Sequence, residues 1–390
     1  MAKPPNTLRY FDYNATTPVA PEVLAAMLPY LKESWGNPSS VYAFGHDTSK
    51  GVAEARESVA RLVGATPSEI VFTGCGTESI NTALWSGLRA DPNRRHVVMS
   101  AVEHPANLNL RPHLEAAGFR VTVVPVLSNG LLDLEAVEAS IEEDTALMSM
   151  MWANNETGVV FPIGELSALC QRRGILFHTD AVQAAGKVAL DVGSVAVDYL
   201  SLAGHKIYAP KGVGALYVRN GAPFSPLIAG GGQEGGRRAG TQNVASIVAM
   251  GEAARLAAEL LESEAVRVAA LRDRLETTCV EKFGAQRNGD KVARVPNTAN
   301  LAFDGLESEA LLLLLEREGI CASSGSACST GSIEPSHVLT AMGLSRSRAL
   351  GSVRISLGRG TKSEDIDHLL GALPRAIDRL KGVIPSSASS

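Results

Sequence analysis

Cysteine is scarce in this sequence: five in 390 residues, namely Cys75, Cys170, Cys279, Cys321 and Cys328, odd in number and widely spaced. That pattern argues against a disulfide framework and for reduced thiols in a cytosol-like compartment, where a free thiol is available for chemistry. A basic block is also missing. The 36 lysines and arginines stand against 41 acidic residues, for a formal charge of −5, so nothing advertises a nucleic-acid or membrane surface and a small substrate or soluble partner is expected. Long apolar runs are absent too, the longest, around Ala310 to Leu315, being far too short to span a bilayer. The opening MAKPPNTLRYFDYNATTP has neither an apolar signal core nor the Arg/Ser-rich amphipathic character of a transit peptide. No internal repeat is visible. The expectation is a cytoplasmic protein.

What is present is a chain long enough for two domains and 45% hydrophobic. Between about Ser68 and Val218, short β-rich runs alternate with Ala/Leu/Glu-rich helical ones; the expected strands are IVFTG at Ile70, HVVMS at His96, VTVVPV at Val121, ALMSMMW at Ala146, ILFHTD at Ile175, DYLSLA at Asp198 and VGALYV at Val213. Such alternation predicts an α/β fold with a mostly parallel sheet covered on both faces, its ligands bound beyond the carboxyl ends of the strands. The Gly-rich IAGGGQEGGRRAGTQN reads as a functional loop, and a helix from about Val244 through Thr277 joins the two domains. NTANLAF, a Leu-rich helix, a Ser/Gly/Cys loop and VRISLG then make a smaller α+β unit.

Lys206 in SLAGHK follows directly on an apolar strand, behind Gly204 and His205. A lysine there is costly unless paired or covalently used, although a side chain reaching from the strand end into solvent explains it equally well in isolation. Asp180 in HTDAVQ ends another apolar strand one short crossover earlier. The two make either a plain ion pair or the arrangement pyridoxal 5'-phosphate (PLP) needs, with lysine forming the Schiff base and aspartate keeping the pyridine nitrogen protonated. FTGCGTES decides between these: Gly76 and Thr77 lie between strand and helix, where backbone N–H groups can cradle a phosphate. Glycine in such a turn is weak evidence alone. Cradle, acid and lysine, in that order along one sheet, make a phosphate-bearing aldehyde the most economical account.

Further polar residues follow the same strand ends. His104 in VEHPAN stands before a proline, where histidine is more often structural; here its ring can stack on a cofactor, and titration near neutrality suits proton transfer. Asn155 in WANNETG and Gln183 in DAVQ can hydrogen-bond a phenolic oxygen, or simply form turns and caps. Cys328 in SSGSACSTGS has no apolar pattern to bury it, as a mobile, exposed nucleophile requires. Cys321 reads as a strand thiol, Cys75 as packing under the phosphate cradle, and Cys170 and Cys279 as helix residues. Arg354 in VRISLGRG can clamp an α-carboxylate bidentately or make a surface ion pair, with Arg359 the weaker candidate.

Taken together, DYNATTP, GNPSS, CGTES, VEHPANL, WANNETG, HTDAVQ, GHKIYAPKGVGALY, RRAGTQN, SSGSAC, PSHVL and VRISLGR resemble the cysteine desulfurases, nearly end to end, and the NifS/IscS-like group in particular. The resemblance implies the PLP-dependent fold type I of aspartate aminotransferase. A large domain would span residues 17–260, and a small α+β domain residues 1–16 and 261–390. It further implies a homodimer that converts L-cysteine to L-alanine and hands the sulfur to an iron–sulfur scaffold or another acceptor protein. By that likeness Lys206 matches the cofactor-linking lysine, Cys328 the persulfide-forming cysteine, His104 the ring-stacking acid/base and Asp180 the pyridine partner. Asn155 and Gln183 match the groups beside the phenolic oxygen, and Asn155 also lies with Arg354 at the substrate carboxylate. Gly76, Thr77, Gly204 and His205 match the phosphate region, as does Thr241, reaching across from the other subunit. Ala203 departs from the pattern, since many relatives carry a serine there. A selenocysteine lyase or another PLP enzyme of this fold would keep Lys206 and Asp180, and a non-catalytic relative is the bland alternative.

Overall fold

A computed structural model describes residues 8–325 and 334–383. Seven strands form one sheet: β2 (Ile70–Thr73), β3 (His96–Ser100), β4 (Arg120–Val124), β5 (Thr145–Ser149), β6 (Leu176–Asp180), β7 (Tyr199–Ala203) and β8 (Gly214–Val218), preceded in the chain by the short β1 (Arg9–Tyr10). All seven expected strands are present. Their spatial order is β2-β8-β7-β6-β5-β3-β4. The pairs β7-β6, β6-β5, β5-β3 and β3-β4 are parallel, whereas β8 runs against both β7 and β2. Six strands therefore end at the same edge. Five of the seven are buried at every residue, as a sheet covered on both faces demands, and their Val, Ile, Leu and Met content meets that condition.

A second sheet is antiparallel, with β10 (Thr298–Ala302) flanked by β9 (Gln286–Arg287) and β12 (Ser352–Ser356). It packs in its own core with Phe11, Leu275, Leu311, Leu315, Ile366 and Leu369. The N-terminal strand β1 pairs in parallel with β11 (Ile320–Cys321), and Asp12 bridges to Ser356, so the chain start is stitched to the second unit. The helix Val244–Phe283 serves both cores: buried residues from Ile247 through Ala257 supply the first, and Val268, Leu275 and Cys279 the second. It runs past the expected Thr277 to Gly284, whose left-handed backbone (φ 68°) terminates it. Burial of Cys279 against the second core carries the helix through the β-branched Thr277 and Thr278. Side chains of Val338, Leu339, Met342 and Ala349 pack with the first core, although they follow the second unit in sequence.

Candidate active site

The carboxyl edge of the main sheet opens into a cavity of about 400 Å³. Its wall is assembled strand by strand. After β2, the helix Gly76–Leu88 presents Gly76 and Thr77, whose first-turn N–H groups precede any intrahelical acceptor. Beyond β3 comes His104, beyond β5 Asn155, at the end of β6 Asp180 and Gln183, and after β7 Ala203, His205 and Lys206; Arg354 enters from β12 of the second unit. Ten residues scattered over the sequence thus face one space. Gly204 does not line it: the residue is buried in the turn, where an added Cβ would lie 2.8 Å from Val213 Cγ1, so its glycine is demanded by packing. Thr241 lines a separate cavity of about 220 Å³ with Glu234 and Arg238. Cys328 lies outside the described residues.

The N-terminal segment closes the cavity from the other side. Lys206 Nζ donates to the carbonyl oxygens of Asn14 (2.6 Å) and Ala15 (2.7 Å). Burial, reinforced by the Arg354 charge, pushes its pKa down to about 8 against the opposing pull of Asp12 and Asp180. The turn that carries Lys206 is strained. Tyr208 has φ 73°, a conformation unusual for a bulky side chain, and is held by N–H donation to Thr17 Oγ1 (2.9 Å), by Arg359 N–H donation to its hydroxyl (2.6 Å) and by the Arg359 guanidinium over its ring.

Asp180 is buried and accepts from Val182 N–H through Oδ1 (2.9 Å). Burial raises its pKa to about 6, opposed by that hydrogen bond and by Lys206, so the carboxylate is largely ionised at neutral pH. His104 departs from expectation. Its ring is open to the cavity, yet desolvation among the cavity walls, with Lys206 and His337 nearby, lowers its pKa to about 4. It is therefore neutral at pH 7 instead of half-titrated. Its Nδ1 accepts from Ala106 N–H (3.1 Å), which assigns the remaining ring proton to Nε2. His205 is likewise lowered to about 4, chiefly by burial, and its Nδ1 lies 3.2 Å from Thr16 Oγ1.

Arg354 already holds partners: it donates to Asp12 Oδ1 (2.7 Å) and Asn155 O (3.1 Å), while its buried Nε has no partner among the described residues. A guanidinium has five N–H donors, so capacity remains for an incoming carboxylate. Cys75 corrects a second expectation. It does not pack beneath the cradle but is exposed at the cavity wall, where Sγ caps the helix by accepting from Glu78 N–H (3.4 Å). The N-cap position points a side chain back over the first turn and away from the core. Cys170 and Cys279 are buried helix thiols, the latter pushed up to about 12 by burial.

Several residues escaped the sequence reading. Asn14 is 2% exposed and donates to Asn155 O (3.0 Å) and Thr298 Oγ1 (2.8 Å), tying the cavity to the second sheet. One layer beneath Asp180, Glu103, Asn107, Ser149, His178 and Ser201 form a buried hydrogen-bonded chain across the strands. Burial pushes Glu103 up to about 8 and His178 down to about 3, so both are neutral at pH 7 and the chain needs no counter-ion. The signals were faint: Glu103 precedes His104 directly, and Asn14 sits inside DYNATTP.

A twisted α/β sheet with lysine, aspartate and a helix N-terminus at its carboxyl edge defines an enzyme of the aminotransferase type. The family profile described as Aminotransferase class-V matches residues 9–369. A cysteine desulfurase of a Nostoc species is 51% identical over 377 residues, covering 96% of this chain and 94% of that protein. The Azotobacter vinelandii protein named cysteine desulfurase NifS is 50% identical over 378 residues, covering 96% and 94%. A solved structure titled NifS-like protein superimposes with a TM-score of 0.90 at 38% identity, over 95% of this chain and 99% of the other. The chain belongs to the class-V aminotransferases, in their cysteine desulfurase branch of NifS-like members.

Proposed function

We propose that the cavity binds PLP and that the protein converts L-cysteine to L-alanine, leaving the sulfur as a persulfide on Cys328 for delivery to an iron–sulfur scaffold or another acceptor. The observation that carries this reading is the convergence of Lys206, Asp180 and the Gly76–Thr77 helix N-terminus on one 400 Å³ space, a size suited to a small cofactor with its substrate. The residues fit the group. The helix N-terminus offers free N–H donors for a phosphate, Asp180 offers an ionised carboxylate for a protonated ring nitrogen, and Lys206 offers an amine with an accessible free-base form. When bound, PLP supplies an aldehyde that links to amines and a ring that takes up the electron pair released at the substrate Cα.

Arg354 and Asn155 orient the cysteine carboxylate, with the unpartnered Arg354 Nε among the donors. Lys206, part free base near neutrality, takes the Cα proton at Nζ and returns one during turnover. The neutral His104, Gln183 and Asn155 line the same cavity and would help hold the group, His104 with an Nε2 proton to offer and Gln183 and Asn155 with side-chain amides for its phenolic oxygen. Cys328, assigned from sequence, attacks the substrate sulfur as a thiolate: the S–S bond forms, the C–S bond breaks, and alanine departs after protonation.

Residues 17–260 then act as the cofactor-bearing domain, and residues 1–16 with 261–390 as the smaller one, a division supported by two cores bridged by one helix. A homodimer is supported by Thr241, which lines a cavity separate from that of its own chain's Lys206, and by exposed Trp35, Val41 and Tyr42. No helix among the described residues is long and apolar enough to cross a membrane. A cytoplasmic site of action is part of the same proposal.

The test compares alanine and sulfide formation from L-cysteine, with a thiol reductant, between the wild type and Cys328→Ala. The variant should keep the yellow cofactor and lose nearly all turnover. Undiminished turnover in the variant would remove Cys328 as the nucleophile.

A further inference from the structure

Lys187 lies outside every expectation drawn from the sequence and does not line the 400 Å³ cavity. It nevertheless touches two residues that do. Its Nζ donates to Gln183 Oε1 (2.5 Å) and to Asn14 Oδ1 (3.2 Å). The opposite end of the Gln183 amide, Nε2, donates to the main-chain carbonyl of Asn14 (2.9 Å). A carbonyl oxygen can only accept, so this contact identifies the nitrogen end of the amide without ambiguity. The Asn14 amide is fixed by the same logic: Nδ2 faces the carbonyl of Asn155, and Oδ1 receives both Lys187 and Asn297 Nδ2 (3.0 Å). Lys187 thus gathers the oxygen ends of both amides, leaving their nitrogen ends turned the other way.

We propose that Lys187 is a positioning residue that sets the polarity of the cavity wall: by holding Gln183 through Oε1 and bracing Asn14, it makes Gln183 present an N–H donor, and no acceptor, to an anionic oxygen of the bound cofactor. One Nε2 hydrogen serves Asn14 O and the second is left for the cavity, which Gln183 lines. Without Lys187, only the Asn14 carbonyl still opposes a flip of the amide, and a flip would turn a carbonyl oxygen against the anionic oxygen. Burial of Lys187 beside the Lys206 and Arg354 charges, which lowers its pKa well below the usual lysine value, is compatible with this role, because a neutral amine still donates to both amide oxygens.

The inference rests on the PLP reading of the cavity, and the experiment separates the two. Wild type, Lys187→Met, Gln183→Ala, the double variant and Gln183→Glu are loaded with PLP. The visible absorption band, its pH midpoint and the PLP dissociation constant are then measured. Lys187→Met should shift the band and loosen PLP about fivefold, the loss of one net hydrogen bond. In the Gln183→Ala background the same substitution should add nothing. Gln183→Glu, which keeps the acceptor for Lys187 and removes the N–H donor, should shift the band in the same direction even if Lys187→Met does not fold. An unmoved band in Lys187→Met with only a lowered melting temperature, or additive shifts in the double variant, would overturn the positioning role alone. Failure of the wild type to take up PLP would overturn the reading of the cavity and this inference with it.

Discussion

The pH dependence of PLP uptake by the cofactor-free protein should report Lys206 directly. An amine adds to an aldehyde only as the free base, and Lys206 is lowered to about 8, first by burial and then by Arg354. Half of it is free base at that pH, whereas an ordinary lysine near pKa 10.4 would be so in roughly one molecule in 250, so uptake should run about 100-fold faster than an unperturbed lysine allows. The shift corresponds to about 3 kcal/mol of differential interaction. Its sign follows from which state holds more protons: between pH 8 and the unfolded-state value, the unfolded chain binds the extra proton. The burial penalty is therefore full below pH 8 and relieved as pH rises through that window, so the cofactor-free protein gains stability there. The perturbation is Asp12→Asn. Asp12 lies on the Arg354 guanidinium and favours the charged form of Lys206, so its neutralisation should move the uptake midpoint to lower pH. Stopped-flow absorbance after mixing cofactor-free protein with PLP, from neutral to alkaline pH, reads both midpoints. A wild-type midpoint at that of a free lysine, or an Asp12→Asn midpoint displaced upward, would refute the electrostatic account.

Ala203 lines the cavity beside the helix N-terminus, and Ala203→Ser adds one hydroxyl there; with one net hydrogen bond worth about 1 kcal/mol, PLP should leave the diluted protein more slowly, and faster loss would count against it. Glu276 is 1% exposed and accepts from Arg287 and from Arg294 (2.7 Å), whose side chain is itself buried. Glu276→Gln should cost about 3–5 kcal/mol by leaving a buried guanidinium short of its counter-charge. It should lower the melting temperature without moving the cofactor's absorption band, and an unchanged melting temperature would mean that solvent or Asp273 satisfies Arg294.

The sheet was legible because buried strands are written in local chemistry. Runs such as VVMS before Ala101 and LFHTD before Ala181 carry β-branched and apolar residues of strand length, punctuated by turns, so neither their existence nor the parallel layout needed distant information. Strand-end polar residues were legible for the same reason, since Asp180 and Lys206 break apolar runs at their ends. His104 was legible as a site residue but not as a neutral one. Its pKa depends first on desolvation among the cavity walls and then on the charges of Lys206 and His337, far apart in sequence. Cys75 shows the reverse: its nearness to the phosphate cradle suggested packing beneath it, whereas it caps the helix while exposed at the cavity wall.

By itself the sequence determined the α/β class, the strand set, and the candidate lysine, acid, phosphate cradle and thiol, because each follows from residue type and near neighbours. The tertiary structure alone decided what joins them. Asn14 reaches Asn155, Lys187, Lys206 and Thr298 because the N-terminal segment folds back between the two units, and no local pattern encodes a contact made across nearly three hundred residues. Proton affinities belong to the same category, since burial and the field of distant charges exist only once the chain has closed around Asp180, Lys206 and His104.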